Sequence, residues 1–271
     1  MRAQHFFHGG TTHVFLFPKE GIISEIIFDV ASFNIRTGRA PDGIHAWIIR
    51  KFSTLATIKF LNCNIVALQE AHKFQLKWLL KKLAKYSYVG NGRDGGSKGE
   101  HCPILFDNEK FRIISSETKW YGDTPDQVSK LTDASFPRIY TKLVVNISND
   151  TTVEIFNTHL DEKSEERRLR SIKQLAQNIN PDMPTIVLGD FNSTRLRNVL
   201  DEITSCGLSY ALDEKCGGTT NRFSKTTAEN AIDHIFVSKH FKVLASSVVR
   251  KKFFFLLPSD HWPIIAKLKL I

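Results

Sequence analysis

The chain predicts an α+β fold in which two sheets pack face to face and carry helices on their outer sides. Three observations lead there. Apolar, β-branched runs recur near residues 26–33, 64–68, 153–158, 184–188 and 231–238, and each ends in or holds a polar residue. Stretches with helical spacing lie between them, concentrated in the middle of each half rather than after every strand. The chain has 271 residues, 42% hydrophobic and 24% charged, enough to bury a sizeable core, and glycine and proline are too scarce to mark a linker. One domain over 25–271 is expected, preceded by an N-terminal extension, 1–24.

In the extension, His5, His8 and His13 lack acidic or cysteine partners, so they make a poor metal site; an added edge strand is one form the segment could take. Residues 26–34 then read as a strand ending in Asn34, followed by Ile35-Arg36-Thr37-Gly38. In 43–61, Ile44, Trp47, Ile48, Phe52, Leu55, Ile58 and Phe60 fall near helical spacing and predict a helix buried on that face. Residues 64–70 repeat the first motif, a strand ending in Glu70. Phe74, Trp78, Leu79, Leu83 and Tyr86 mark a second amphipathic helix with lysines outside. The Gly-rich stretch 90–99 lacks the spacing of a phosphate-binding P-loop. Strands are expected at 112–116 and 139–147, with a long loop between them that includes Arg138.

The second half repeats the theme. Residues 153–159 form a strand delivering His159 and Asp161, and a charged helix starts near Ser164. The run Thr185–Leu188 is a buried strand that Gly189 should break, pushing out Asp190 and Asn192. A short helix near 195–205 follows. Asp233 sits in the apolar run 231–238, and Asp260-His261 precede the last strand.

The formal charge of +9 favours an anionic partner: nucleic acid, a phosphorylated small molecule or an anionic membrane surface. The basic residues are dispersed (Lys77, Lys81, Lys82, Lys85; Arg167, Arg168, Arg170; Arg250, Lys251, Lys252), which reads as a basic face and not a tail. The four cysteines show no C-x-x-C spacing, so neither zinc nor a disulfide framework is indicated, and reduced thiols in a cytoplasmic protein are the expectation. No run approaches the ~18 apolar residues of a membrane span. Lys19, Glu20 and Glu25 interrupt the N-terminal apolar stretch, against a signal peptide. No protein partner is evident.

Asn34, Glu70, His159, Asp190, Asn192, Asp233, Asp260 and His261 all stand at expected strand boundaries. Asp and Asn are ordinary turn residues, but the joint occurrence exceeds turn chemistry. Asp233 in a buried strand needs a partner, for which His261 and His159 are the candidates. Acids, an amide and histidines without clustered cysteines suit a hard cation such as Mg²⁺ or Mn²⁺. Such a set is equipped for phosphoester hydrolysis.

The strings SFNIRTG, LQE, NTHLD, GDFN, IDHIFVS and SDHWPI, in that order, resemble the endonuclease/exonuclease/phosphatase superfamily. GRDGG, GEHCPI, WYGDTP and FPRIYT further resemble its single-domain bacterial-type members; Lys119-Trp-Tyr-Gly stands where that group has Phe-Trp-Leu-Ser. The resemblance implies a deoxyribonuclease I-like, four-layer α/β/β/α sandwich of two mainly antiparallel sheets. It implies that Glu70 is the principal metal carboxylate, with Asn34 and Asp260 completing the shell of Mg²⁺ or Mn²⁺. It implies that Asp190 orients or deprotonates water and Asn192 holds a phosphate oxygen. By the same likeness, His261 binds the phosphate or transfers a proton, oriented by Asp233, while His159 contacts phosphate or aids the leaving group. Arg138, Glu100 and Arg36 are candidate substrate contacts. The leading expectation is a nuclease acting on DNA or RNA. The alternative is a phosphatase or phosphodiesterase for a small metabolite, nucleotide or lipid headgroup.

Overall fold

The computed structural model describes residues 25–148, 151–224 and 226–271; the expected N-terminal extension and its three histidines lie outside them. The first sheet contains β1 (Ile27–Asn34), β2 (Ile65–Gln69), β4 (Tyr86–Val89), β6 (Ile104–Asp107), β13 (Phe241–Val248) and β14 (Ile264–Leu270), in the order β13-β14-β1-β2-β6-β4. The second contains β7 (Arg112–Trp120), β8 (Ile139–Ser148), β9 (Thr151–His159), β10 (Thr185–Asp190), β11 (Leu208–Tyr210) and β12 (Asp233–Ser238), in the order β11-β12-β10-β9-β8-β7. A short pair, β3 (Ala71–His72) with β5 (Glu100–His101), lies beside the first sheet's end.

Each sheet holds one parallel pair, β1–β2 or β9–β10, and is otherwise antiparallel. A parallel pair needs a long crossover, and here it is a helix each time: α1 (Trp47–Leu61) and α3 (Glu165–Ala176). The other α-helices among the described residues are α2 (Lys73–Leu80) and α4 (Asp201–Ser205). Three apolar layers result. Val30, Ile65, Ile155, Ile186 and Ile264 fill the space between the sheets. Phe33, Leu68, Leu55 and Leu79 pack α1 and α2 on the first sheet, and Phe156, Val187, Ile172 and Ile203 pack α3 and α4 on the second. Central strands covered on both faces read as continuous apolar runs, which is why those segments were legible. The fold is the four-layer α/β/β/α sandwich that the resemblance implies. Among the described residues no helix is long and apolar enough to cross a membrane.

Three expectations need correction. Of the apolar face expected on α1, Ile48, Phe52 and Phe60 are exposed, as is Ile44 just before the helix. The buried face instead carries Arg50, Ser53 and Thr54 beside Leu55 and Ile58, because polar side chains there bind carbonyls of the chain at 256–258. Helix α2 ends at Leu80, and Tyr86 opens β4. Gly189 does not break its strand: β10 continues through Asp190. The glycine is needed for a close approach, since a Cβ there, at φ +150°, would stand 2.1 Å from the Thr158 carbonyl oxygen on β9.

Candidate active site

The carboxyl ends of the parallel strands β1, β2, β9 and β10 meet the amino ends of the antiparallel strands β12 and β14 along one edge of the sandwich. That geometry gathers residues from 34 to 261 of the sequence. Asn34 ends β1, Glu70 follows β2, His159 ends β9, Asp190 ends β10, Asp233 opens β12, and Asp260-His261 precede β14. Asp190 is flanked in register by His159 on one side and Asp233 on the other, so the three project from neighbouring strands.

One amide joins the two sheets. Asn34 Nδ2 donates to Glu70 Oε1 (3.0 Å) and to Asp190 Oδ2 (2.9 Å). Glu70 is a non-glycine residue at φ +59°, a strained conformation that the surroundings enforce, and its Oε2 accepts the Thr37 backbone N–H at 2.8 Å. Asn192, at φ +48°, donates its own N–H to Asp190 Oδ1 (2.9 Å), while its side-chain amide donates to the Leu160 carbonyl.

His261 Nδ1 lies 2.8 Å from Asp233 Oδ2, which also accepts the Thr219 hydroxyl at 2.6 Å. His261 Nε2 then faces Asp190 Oδ2 at 3.8 Å, and His159 Nε2 faces the same oxygen at 3.6 Å. Burial works against charge on His261, but Asp233 and Asp190 outweigh it and hold the imidazolium well above its ordinary pKa. His159 goes the other way: burial, reinforced by Arg138 and His261, holds it well below, so it stays neutral. Burial and the adjacent Asp233 carboxylate push Asp190 up to about 7, against the opposing pull of His261, Asn34 and Asn192.

Asp190, Asp233 and His261 present ligand atoms within 4.8 Å of one another, but Asp233 is hydrogen-bonded to His261, and Asp190 to Asn34 and Asn192. A hard cation is better matched to Glu70 and Asp260, with Asn34. Burial raises the Asp260 carboxyl, and Glu70 adds to the shift beyond what His261 and Arg36 offset. Two carboxylates that repel each other, with the Asn34 amide beside Glu70, are a donor set that a divalent cation fits.

The candidate substrate contacts divide. Arg138, Glu100, Glu70 and His159 line one pocket with Arg93 and Cys102. Glu100 pairs with Arg93 (2.6 Å), yet burial still raises its carboxyl, and among the described residues the Arg138 guanidinium has no hydrogen-bond partner. Arg36 stands elsewhere, bound to Asp42 through two nitrogens and 3.7 Å from Asp260. Asp161, noted beside His159, binds the backbone N–H groups of Lys163 and Ser164 and the Arg167 side chain, fastening the start of α3. In the departing string at 119–122, Trp120 Nε1 donates to the Arg93 carbonyl and the buried Tyr121 hydroxyl bonds Thr158.

Several supporting residues escaped the sequence reading. Asn157 Nδ2 donates to the carbonyls of Leu68 and Pro103, both at 2.8 Å, and its Oδ1 accepts from Gln69 Nε2 at 2.7 Å, tying the sheets under the site. Both lie inside the strings NTHLD and LQE, but their neighbours' chemistry drew the attention. Arg93 lay inside GRDGG without being singled out, and Thr219 gave no signal.

The model of the Endonuclease/Exonuclease/phosphatase family matches residues 31–261. No curated protein matches. Among solved structures, an endonuclease/exonuclease/phosphatase family protein from Bacteroides thetaiotaomicron superposes with a TM-score of 0.86 at 29% identity, covering 92% of this chain and 99% of that one. A mannosyl-6-phosphatase of the same organism gives 0.82 at 29% identity over 89% and 98% of the chains. A D. rerio TDP2 complexed with single-strand DNA product shares the fold, with a TM-score of 0.71 at 15% identity over 89% and 98%. With the family model matched across both sheets and across every strand end described above, the chain belongs to the endonuclease/exonuclease/phosphatase family of phosphoester hydrolases.

Proposed function

We propose that the chain is a divalent-cation-dependent phosphoesterase acting on a small phosphorylated molecule. The observation that carries this is the placement of Arg138 and Arg93 in one pocket with Glu70 and His159. A pocket of that kind suits a compact phosphoester: an unpaired guanidinium is a fork for phosphate oxygens. The likeness to a mannosyl-6-phosphatase over nearly its full length supports the same reading.

Glu70, Asp260 and Asn34 would hold the cation, Mg²⁺ or Mn²⁺, which when bound offsets charge on the phosphate oxygens. Asp190, a base poised near neutrality, accepts a proton from the attacking water, and Asn192 shapes its carboxylate. His261, charged and oriented by Asp233, holds a phosphate oxygen through Nε2–H. His159, neutral and lining the same pocket as Arg138, can offer a hydrogen bond to the ester but no proton, so the departing oxygen takes its proton from the His261 imidazolium or from water.

A second reading, a nuclease acting on DNA or RNA, keeps the net charge of +9 in its favour. Purified protein assayed with sugar phosphates, nucleotides, DNA and RNA, each with Mg²⁺, Mn²⁺ or chelator, separates the two. Chelator-sensitive phosphate release from a small ester supports the first reading. Cleavage of polynucleotide alone would establish the second, and hydrolysis of none would sink both.

A further inference from the structure

Two features on the outer side of the first sheet have no part in the site. One is the outward face of α1, where Ile48, Phe52 and Phe60 are 65%, 52% and 50% exposed. The other is a tight turn at 253–256. Phe253 and Leu256 exchange both backbone hydrogen bonds, and between them Phe254 and Phe255 sit at φ +54° and +61°. Two left-handed central residues make a type I′ turn, a position that favours Asn-Gly and that bulky side chains resist. Phe255 is fully exposed and Phe254 66% exposed. A strained turn that holds two phenyl rings in water contributes nothing to the core, and exposed apolar surface of this extent marks an interaction site.

The turn is also held firmly. Ser53 Oγ donates to the Leu256 carbonyl at 2.9 Å, Phe60 packs on Phe253 with centroids 5.8 Å apart, and Lys251 lies over the Phe60 ring. On the other flank of α1, Phe52 meets Trp78 of α2 edge-on at 5.3 Å. The turn, α1 and α2 therefore form one continuous surface. Its charge is of one sign. Segments 47–61, 73–85 and 249–257 contain eleven Lys and Arg and no Asp or Glu, more than the chain's whole net charge of +9. Of these, Arg50 alone is buried.

We propose that this surface docks on an anionic lipid bilayer, with Phe254 and Phe255 inserted among the acyl chains and the surrounding lysines on the lipid phosphates. Apolar side chains at a projecting tip, flanked by cations and free of acids, match the two-part attraction of an interfacial anchor. A polynucleotide is a poorer fit, because the aliphatic Ile48 and Ile49 and the phenyl tip offer no hydrogen bonds to base edges. The docking is independent of what the catalytic site hydrolyses.

The test is co-sedimentation with sonicated vesicles of phosphatidylcholine alone and of phosphatidylcholine with 30% phosphatidylglycerol. The native chain binds the anionic vesicles and not the neutral ones, and binding weakens as salt rises. The double variant Phe254→Asn/Phe255→Gly supplies the residues a type I′ turn prefers, so it folds at least as stably by thermal denaturation. Its partitioning falls by about tenfold or more, from two lost phenyl groups. Lys251→Glu/Lys252→Glu, which leaves the turn intact, loses vesicle binding as well. Hydrolysis of soluble p-nitrophenyl phosphate or its diester is unchanged in both variants. Three results would overturn the proposal: no binding of the native chain to anionic vesicles, undiminished binding by the Asn-Gly variant, or a self-associating dimer in sedimentation velocity that the Asn-Gly change abolishes.

Discussion

Asp190 and Asp233 stand directly opposite each other across the β10–β12 ladder, two buried carboxylates on adjacent strands. Like charges at that separation cannot both be held cheaply out of water, and the protein resolves the conflict unequally. Asp233 is matched by the His261 imidazolium and the Thr219 hydroxyl, whereas Asp190 is left with an amide, a backbone N–H and a raised pKa of about 7. The two acids thereby differ in chemistry, and the proposed mechanism uses the first to orient His261 and the second as the base.

Asp190→Asn separates activity from stability. Loss of the base lowers kcat by ~10²–10⁴-fold. Stability moves the other way above neutral pH. The native carboxyl stays protonated up to about pH 7 when folded but ionises near its ordinary value when unfolded, so native stability falls as pH rises between those values. The amide carries no such cost. The variant therefore melts higher than the native chain at pH 8, and the difference shrinks toward pH 4. Thermal denaturation across that range checks it; a variant that melts lower at pH 8 would refute the buried-acid account.

Asp233→Asn acts on His261. The imidazolium is held up chiefly by this carboxylate against its burial, so removing the charge lowers the pKa of His261. A histidine raised in the folded state stabilises below its ordinary pKa, and that contribution is lost as pH rises through the folded value. The expected outcome is an alkaline limb of the kcat/KM profile that moves to lower pH, together with reduced stability in mildly acidic buffer. An unmoved limb would show that His261 does not need its charge for the reaction.

These residues were legible because each closes or opens a strand whose apolar run announces it: Asn34, Glu70, His159, Asp190 and the Asp260-His261 pair all stand where hydrophobic spacing stops. Other parts were hidden by long-range contacts. The spacing of α1 pointed to Ile48 and Phe52 as core, and periodicity alone could not reveal that Ser53 and Thr54 would find carbonyls 200 residues later in the chain. Asp161 carried the same local signature as Asp190 and fastens the turn before α3 instead. Strands β4, β11 and β13 lacked a distinctive run; β13 at the edge of its sheet exposes Leu244 and Ala245 and so shows little apolar continuity.

Gly189→Ala tests the close approach behind Asp190. Even a single Cβ would meet the Thr158 carbonyl oxygen at 2.1 Å, and the obstacle is backbone, which cannot rotate aside. The parallel β9–β10 pair must part, displacing His159 and Asp190 together because they are register partners. A loss of stability on the order of 3 kcal/mol or more is expected, with activity falling in parallel. Urea denaturation gives the first and hydrolysis the second; a variant within ~1 kcal/mol of native would show that the strands have room to spare.

Arg50 is the strongest test of how the site's two halves are kept in place. Its guanidinium is buried without a carboxylate partner and is spent on carbonyls: His45 at 2.9 Å, Ile35 at 2.7 Å, Pro258 at 3.1 Å and Arg36 at 2.8 Å. Ile35 and Arg36 follow Asn34, and Pro258 precedes Asp260-His261, so one side chain fixes the spacing between the loop after β1 and the loop before β14. Burial pulls its pKa down to about 10, against the nearby carboxylates of Asp260, Asp42 and Glu70, which leaves it charged at neutral pH. Arg50→Met leaves the His45 and Ile35 carbonyls without a donor, while Pro258 keeps Thr54 and Arg36 keeps Gln75; each buried unsatisfied group costs ~1–3 kcal/mol, and the unburdening of the guanidinium offsets part of the sum. The expected result is a loss of several kcal/mol in urea denaturation and a fall in kcat that persists under conditions where the variant is fully folded, because Asn34 and Asp260 no longer keep their separation. Arg50→Lys retains the charge but lacks the planar fork, so it recovers part of the stability and little of the kcat. Full activity in folded Arg50→Met would show that the two loops hold their spacing without it.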